Sequence, residues 1–232
     1  MAITKSNIVM SDIRLYIDIT PDAEAPTWSE LGDGITNISE NVNESGVDAF
    51  YLGRRGFGSH TVTALAPTFT LTGHRVLGDE AQDWLFGRKF KLGCKRLTAL
   101  KVEIYDNCTG GKTREFIVHS CTFGDLQEFS GATEGASDIS ITLYFNEAPV
   151  DVALEPEIKV TGDGTSSVKF TLESATEGAL LYYSTDGDEP ATAYTSEVTL
   201  PSTPGSVTIK AVAKKDGMDE SAVVSKAVTV TA

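Results

Sequence analysis

Apolar and polar residues alternate over much of the first two thirds of the chain, and this pattern predicts β-strands. Between residues 13 and 19, Ile13, Leu15, Ile17 and Ile19 alternate with more polar residues, as in a strand buried on one face. The same criterion predicts further strands at 35–42, 59–72, 97–105, 114–123 and 137–145. The turn-rich segment 106–111 is expected to join two of them as a hairpin loop.

One segment, 79–88, has the spacing of a helix instead. Asp79 can cap its first turn, with Gln82 three residues later at the capping-box position. The apolar stripe and the terminating glycine are Ala81, Trp84, Leu85 and Gly87. The pattern therefore predicts a single short α-helix in a mainly β chain.

Residues 43–58 show no sustained apolar period. Turn-prone residues surround Arg54 and Arg55 in this segment: Asn43, Ser45, Gly46, Gly53, Gly56 and Gly58. We expect a long mobile loop between two strands, and loops of this length usually carry a function. The simpler alternative is a solvated loop with two surface arginines.

The last third of the chain carries its own set of short strands. Residues 181–190, Leu-Tyr-Tyr-Ser-Thr-Asp-Gly-Asp-Glu-Pro, join an apolar strand to turn residues. In 206–214, alternate apolar residues share one face, and 221–230 supplies a closing strand. Short strands separated by turns predict a second β-sandwich.

A change of composition separates these two parts. The alternation stops at Phe145, and the following residues up to Pro156 contain two prolines and three acids, which favour an extended, solvated connection. We therefore expect a first domain at 1–147, a linker at 148–155 and a second domain at 156–232.

The chain is acidic, with a net charge of −14, and both predicted domains share this sign. Ordinary nucleic-acid binding needs a basic surface that neutralises phosphates, so we do not expect a tight DNA clamp. An acidic wall would let DNA pass without adhering, although solubility alone also accounts for the charge. The sequence contains no run of about 18 apolar residues and no signal-peptide pattern at its start, so we expect a protein made in the cytoplasm, with no membrane partner.

Residue types that carry chemistry are sparse. The three cysteines, Cys94, Cys108 and Cys121, have no paired metal-ligand spacing and suit reduced thiols. The sequence lacks Gly-x-Ser-x-Gly, His-Glu-x-x-His, Gly-x-x-x-x-Gly-Lys and Cys-x-x-Cys motifs. Residues 186–189, Asp-Gly-Asp-Glu, lack the spacing of a calcium loop and are interpreted as a turn. We expect no enzyme activity, cofactor or metal.

The strand at 181–187 together with 207–213 and 221–230 resembles the immunoglobulin-like domain at the C-termini of chitobiases and β-hexosaminidases. The resemblance covers about the last third of the chain. It implies an immunoglobulin-like β-sandwich of a kind that is attached to enzymes, surface proteins and virion proteins alike. The preceding residues contain no glycosidase domain, so the resemblance does not imply glycosidase activity.

The first part contains three segments that can be compared with a known family: Trp28-Ser-Glu-Leu-Gly-Asp-Gly-Ile35, the loop through 51–57, and residues 72–85 entering the helix. Together with the order of the predicted elements, they resemble the tail tube protein of long-tailed, siphovirus-type bacteriophages. The resemblance spans roughly residues 1–147. It implies a tail-tube-type β-sandwich or barrel with one short α-helix. It also implies six-membered rings that stack around a DNA channel, with the extra domain displayed outside.

The resemblance also implies roles for individual residues. The loop at 43–58 would contact the adjacent ring through Tyr51, Arg54, Arg55 and Phe57, with the arginines paired to acids of the next subunit. Candidates for an acidic channel lining are Glu40, Glu44, Asp125 and Glu128. The implied partners are other copies of the chain, a tape measure protein and tail terminator or initiator proteins. Genomic DNA would pass without specific binding. The protein would be assembled in the host cytoplasm and reside in the virion tail.

Two other classes of function remain open at this point. A cell-wall carbohydrate-binding β-protein could use Tyr183 and Tyr194 as stacking groups, although adjacent Tyr182 and Tyr183 point to opposite faces of a strand. A capsid decoration protein or a tail terminator would share the sandwich fold. Ring formation or polymerisation discriminates a tube subunit from a carbohydrate binder, which would remain small.

Overall fold

The computed structural model describes residues 10–51, 53 and 57–231. It is mainly β with one α-helix, which confirms the predicted fold class. The strands of the first half are β1 (Ile13–Asp18), β2 (Trp28–Glu30), β3 (Ile35–Asn41), β4 (Glu44–Phe50), β5 (Gly58–Leu65), β6 (Thr68–His74), β7 (Leu97–Tyr105), β8 (Lys112–Gln127) and β9 (Asp138–Phe145). Those of the second half are β10 (Val150–Asp151), β11 (Glu157–Thr161), β12 (Lys169–Glu173), β13 (Leu180–Ser184), β14 (Thr192–Ala193), β15 (Val198–Thr199), β16 (Gly205–Lys214) and β17 (Val224–Val230). The helix α1 spans Glu80–Gly87, and short 3-10 helices span Met10–Asp12 and Gly93–Arg96.

The chain forms two compact units. The first comprises Met1–Val102 and Ile117–Pro149, and the second comprises Glu103–Phe116 and Val150–Ala232. Within the segment that we expect to be a linker, β10 pairs with β8, and Val152 and Ala153 are buried. These residues are therefore ordered parts of the second unit, because burial of their side chains and pairing of their backbone replace the expected solvation. The division into domains at 147 and 156 stays a prediction.

A sheet with the strand order β2-β1-β7-β8-β9-β6-β3 organises the first unit. The registers place Phe69 beside Leu143 and Leu143 beside Phe123, and directly opposed residues share one face of a sheet. These three side chains are buried, together with Leu71 and Ile141 of the next core layer. The core thus follows from the period-two alternation of the sequence.

The opposite face of β3, β6 and β9 is polar, and at one end of it His74 Nδ1 lies 3.1 Å from Asp138 Oδ1. Its nine other residues are uncharged: Asn37, Ser39 and Asn41 on β3, Thr68, Thr70 and Thr72 on β6, and Ser140, Thr142 and Tyr144 on β9. We call this surface the hydroxyl face. It carries neither lysine nor arginine among these positions, so it offers no cation to a phosphate group.

Capping fixes the start of helix α1. The Asp79 side chain accepts a hydrogen bond from the backbone N–H of Gln82, at 2.7 Å, as the sequence predicts. Burial raises the pKa of Asp79, outweighing the effect of this hydrogen bond. The Gln82 side chain serves other contacts: it accepts from the Val76 N–H and donates to the Asp33 carbonyl, at 3.0 and 2.6 Å. Gln82 therefore ties the buried side of the helix to two flanking loops.

Two predicted strand features can be compared with the structure. The single strand expected at 59–72 is divided into β5 and β6 at Ala66 and Pro67, because proline has no N–H to continue a ladder. The hairpin loop at 106–111 is confirmed, with the Asp106 carbonyl accepting from the Gly110 N–H at 2.7 Å.

The second unit is a β-sandwich of two sheets, with strand orders β11-β12-β15 and β14-β13-β16-β17. Its core includes Phe170, Leu172, Ile209 and Val228.

Lys112 lies among carboxylates of this unit, 2.6 Å from Glu115, 3.2 Å from Glu103 and 3.4 Å from Glu155. Burial acts to lower the pKa of Lys112, but the bonds and charges of Glu115 and Glu103 outweigh it and raise that pKa.

A close backbone approach joins β3 to β6 in the first unit. A Cβ atom at Gly73 would lie 2.1 Å from the Gly34 carbonyl oxygen and 2.8 Å from the Ile35 Cα. Both obstacles are backbone atoms, which cannot rotate away as a side chain does. Gly34 itself has a φ of 73°, a conformation that glycine adopts without strain.

We predict that Gly73→Ala destabilises the protein by about 3 kcal/mol, because the added methyl group must push two strands apart. Gly87→Ala is the control: it lies at the end of α1 with no atom near an added Cβ, and should be neutral or stabilising by about 0.5 kcal/mol. Urea unfolding, followed by the fluorescence of Trp28 and Trp84, measures the free energy of unfolding of both variants. Equal stabilities of the two variants would contradict the close approach.

Candidate functional site

The most exposed regular element is a hairpin formed by β4 and β5. Its register runs from Glu44 opposite Leu65 to Phe50 opposite Gly58, with an irregularity between Ser45 and Gly46. Within the described residues the two strands pair with no third strand. The expected irregular loop at 43–58 is thus wrong for residues 44–50. Their strand conformation comes from cross-strand pairing with β5, which no local period reveals.

Aromatic rings lying over glycines hold the hairpin together. A Cβ at Gly58 would lie 2.7 Å from the Phe50 ring, and a Cβ at Gly46 would lie 2.5 Å from the His60 ring. His60 Nδ1 also lies 2.7 Å from Asp48 Oδ1 on the neighbouring strand. The glycines are therefore positions where cross-strand rings rest on the backbone, not signs of an unstructured loop.

The hairpin leaves its apolar side chains in water. Phe50 and Phe57 are 75% and 78% exposed. The other exposed apolar residues of this element and its tip are Val47, Tyr51, Val62 and Leu65. A two-stranded hairpin is marginally stable on its own, and a cluster of exposed apolar residues of this kind marks an interaction surface.

Asn43 forms the joint between this hairpin and the main sheet. Its φ is 49°, and its side-chain amide donates to the Ala66 carbonyl at 2.9 Å. Its own N–H donates to Asn41 Oδ1 at 3.0 Å, and the Ala66 N–H returns to the Val42 carbonyl at 3.2 Å. The left-handed residue and the adjoining Pro67 interrupt the regular ladder, so β4 and β5 form a separate two-stranded sheet.

Two of the predicted loop contacts, Tyr51 and Phe57, lie exposed at the tip of the hairpin. The other two, Arg54 and Arg55, lie outside the described residues. The pairing of these arginines with a neighbouring subunit stays a prediction.

The four acids predicted to line a channel occupy different surroundings. Glu40 lies exposed on β3, opposite Phe69, and Glu44 is the exposed first residue of β4. Asp125 has a φ of 48° in β8 and accepts a hydrogen bond from the Tyr144 hydroxyl, which raises the pKa of that tyrosine. The ladder between β8 and β9 is irregular here, between Gly124 and Gln127.

Glu128, the fourth acid, belongs to an ion-pair cluster. Its carboxylate lies 3.4 Å from Arg75 and 3.7 Å from Lys89. Arg75 also bonds Asp83 at 2.5 Å, and this hydrogen bond lowers the pKa of Asp83. Two cations thus compensate the charge of Glu128, which makes it the least suited of the four to form a negative wall.

The tyrosines proposed as carbohydrate contacts pack against the core of the second unit. Tyr183 lies edge-on to Phe170, with ring centroids 5.3 Å apart, and to Tyr194 at 6.5 Å. Tyr182 lies on the other face of β13, with Lys214 Nζ 5.5 Å from its ring. The arrangement favours a packing role for Tyr183 and Tyr194.

The turn at 186–189 is held by a hydrogen bond from the Asp188 N–H to Asp186 Oδ1, at 3.1 Å.

Residues 88–96 form a surface that our sequence reasoning missed. The segment reads Arg-Lys-Phe-Lys-Leu-Gly-Cys-Lys-Arg, with five cations and no acid in a chain of net charge −14. Phe90 and Leu92 within it are 91% and 86% exposed. The signal that could have revealed it is the local reversal of charge around two apolar residues.

Over 10–51, 53 and 57–231, no group of three or more His, Cys, Asp or Glu side chains is arranged to hold a metal ion. No helix in this part of the chain has the length and apolar character needed to cross a membrane.

Comparison with known proteins identifies part of the second unit. Residues 160–225 match the family described as "Chitobiase/beta-hexosaminidase C-terminal domain". This match confirms the resemblance drawn from the strand at 181–187 and its neighbours. Curated proteins compared by sequence gave no match.

Structural comparison matches the chain to solved components of injection systems. The sheath/tube terminator of an extracellular contractile injection system (PVC) is 10% identical, with a TM-score of 0.46, over 65% of this chain and 99% of that one. The tube terminating cap of the anti-feeding prophage is 12% identical, with a TM-score of 0.44, over 75% and 96%. The sheath-tube complex of the PVC system is 11% identical, with a TM-score of 0.43, over 62% and 90%.

We predict that Asn43→Ala loosens the hairpin joint more than Asn43→Gly does. Both variants lose the amide bond to Ala66, but alanine also costs about 1 kcal/mol in the left-handed conformation. Hydrogen exchange of the Ala66 amide measures the effect, with exchange faster in Asn43→Ala than in Asn43→Gly. Wild-type exchange in both variants would show that Asn43 does not hold the joint.

Proposed function

We propose that the protein is a non-catalytic structural subunit that polymerises as stacked six-membered rings into a phage-type tail tube. The observation that carries the proposal is the β4–β5 hairpin, which exposes apolar side chains and has no third strand within the described residues. Contact with another copy would supply the cover that the hairpin lacks. The ring number and the tube geometry come from the resemblance of residues 1–147 to tail tube proteins.

The main sheet gives a second reason to expect association. Its strand order begins with β2 and ends with β3, and among residues 10–51, 53 and 57–231 each of these two strands has a neighbour on one side only. Open sheet edges pair readily with other chains unless they are protected. Pairing of edges between neighbouring subunits would join the sheets of a ring into one larger barrel.

The hydroxyl face is the surface best suited to a DNA channel. Its nine uncharged side chains offer phosphate no cation, and Asp125, which accepts a hydrogen bond from Tyr144 of this face, would add negative charge beside it. Such a wall would let genomic DNA pass without specific binding. Glu40 lies on the other face of β3, opposite Phe69. Glu128 contributes less, because Arg75 and Lys89 compensate its charge.

The second unit would be an outer decoration of the tube. Its match to the C-terminal domain of chitobiases and β-hexosaminidases concerns a module, and the chain carries no recognised catalytic motif. The expected partners are further copies of the chain, a tape measure protein and tail terminator or initiator proteins. The expected location is the virion tail, after assembly in the host cytoplasm.

We predict that replacing residues 44–65 with Asn-Gly abolishes assembly and leaves the subunit folded. Asn43 and Ala66 already lie within hydrogen-bonding distance across the joint, and Asn-Gly closes a two-residue hairpin. Sedimentation velocity and negative-stain electron microscopy compare this variant with wild type, which should form rings and hollow filaments. Thermal unfolding confirms that the variant folds.

The matched control removes exposed apolar residues elsewhere. Leu180→Ser with Val223→Ser alters two exposed side chains of the second unit and should assemble as wild type does. Tubes that form without the hairpin would show that the hairpin is not the contact between copies.

A further inference from the structure

The segment 88–96, together with Phe129, forms a surface that we call the basic patch. Five cations without an acid in nine residues make it opposite in sign to the chain as a whole, which carries −14. The remainder of the chain is consequently even more acidic than the total. A second copy of the protein therefore presents the complementary charge over much of its surface.

Internal hydrogen bonds hold the patch in one shape. The Arg96 guanidinium donates from Nε to the Lys91 carbonyl at 2.8 Å and from Nη2 to the Lys89 carbonyl. The Lys91 N–H donates to the Arg88 carbonyl at 2.9 Å. A braced loop loses less conformational freedom on binding than a flexible one, so its exposed side chains are suited to contact a partner.

The apolar residues of the patch surround a lysine. Lys89 Nζ lies 5.7 Å from the Phe90 ring centroid and 5.2 Å from that of Phe129, which is itself exposed. Leu92 adds a further apolar side chain that is almost fully in water. Exposed aromatic rings are common anchors of protein interfaces, and the cations around them give electrostatic complementarity to an acidic partner.

The β4–β5 hairpin has the complementary chemistry. Its strands carry Glu44 and Asp48 and contain no lysine or arginine. Val47, Phe50 and Val62 are exposed on the same strands. The two strands of the hairpin thus have exposed apolar side chains and no lysine or arginine. The patch has exposed apolar side chains and an excess of cations, of which Lys89 pairs with Glu128 and Lys95 with Asp22.

We propose that the basic patch of one subunit binds the strands of the β4–β5 hairpin of another. This inference rests on the proposed function and names the receiving surface for the hairpin. The two surfaces are different parts of one chain, so the contact is heterologous and repeats from copy to copy, closing into rings or extending as a filament.

Cross-linking between two variants tests the contact directly. One protein keeps Cys94 of the patch and carries C108S. The other carries C94S, C108S and T61C, at an exposed position directly opposite Val47 on the hairpin. Cys121 does not interfere, because burial raises its pKa to about 12. The matched control partner carries C94S and keeps exposed Cys108 in the β7–β8 loop.

Each pair of proteins is mixed and treated with a short bis-maleimide. The Cys94 protein with the T61C variant should give a cross-linked dimer in roughly tenfold greater yield than the Cys94 protein with the Cys108 control, because the contact raises the local concentration of one thiol near the other. Equal yields overturn the proposal. If rings or filaments form but Cys94 does not cross-link to the T61C variant, this contact is wrong and the proposed tube function is not contradicted. The absence of both assemblies and cross-linked dimer overturns both.

Charge exchange provides a second test. Lys91→Glu and Glu44→Lys should each raise the concentration needed for assembly by about tenfold, and the double variant should restore it to within about threefold of wild type. Phe90→Ser should also block assembly without lowering the unfolding temperature, since Phe90 is 91% exposed, whereas Val223→Ser should not. If Lys91→Glu leaves assembly unchanged and abolishes binding of a short DNA duplex, the patch is a nucleic-acid site and the proposal fails.

Discussion

A two-stranded β-hairpin cannot cover its own side chains, and this constraint governs how the whole molecule can function. In β4 and β5 the strands pair with each other and leave Phe50, Val47 and Val62 in water. Rings resting on Gly46 and Gly58 give the hairpin a defined shape but no apolar core. Its proposed function therefore requires another surface, and we propose that the basic patch of a further copy supplies it.

The rest of the first unit supports this element. The close approach of Gly34 and Gly73 fixes β3 against β6, and these two strands continue into the hairpin through Asn43 and Pro67. Helix α1 is tied to its flanking loops by Gln82 and by the Arg75 ion pairs, and the basic patch follows directly from the end of this helix. The exposed surfaces are thus attached to well-packed elements, which favours binding without large rearrangement.

The sequence predicted the buried strands and the helix because burial on one face leaves a period that can be read locally. It also predicted the Asp79 cap and the loop at 106–111, where local residue types decide the backbone. It failed for residues 44–50, whose strand conformation depends on backbone pairing with β5. It also failed to show that Glu128 pairs with Arg75 and Lys89, or that Tyr183 faces the core, because such contacts join residues distant in sequence.

The most direct test is hydrogen exchange of the hairpin amides at increasing protein concentration, measured by mass spectrometry of peptides that cover β4 and β5. It shows whether other copies of the chain cover the hairpin. If they do, its amides exchange rapidly in the dilute monomer and become protected as assembly proceeds, while the amides of β9 stay protected throughout. Hairpin amides that exchange at one rate in monomers and in assemblies would show that no copy covers them, and the proposed contact would be wrong.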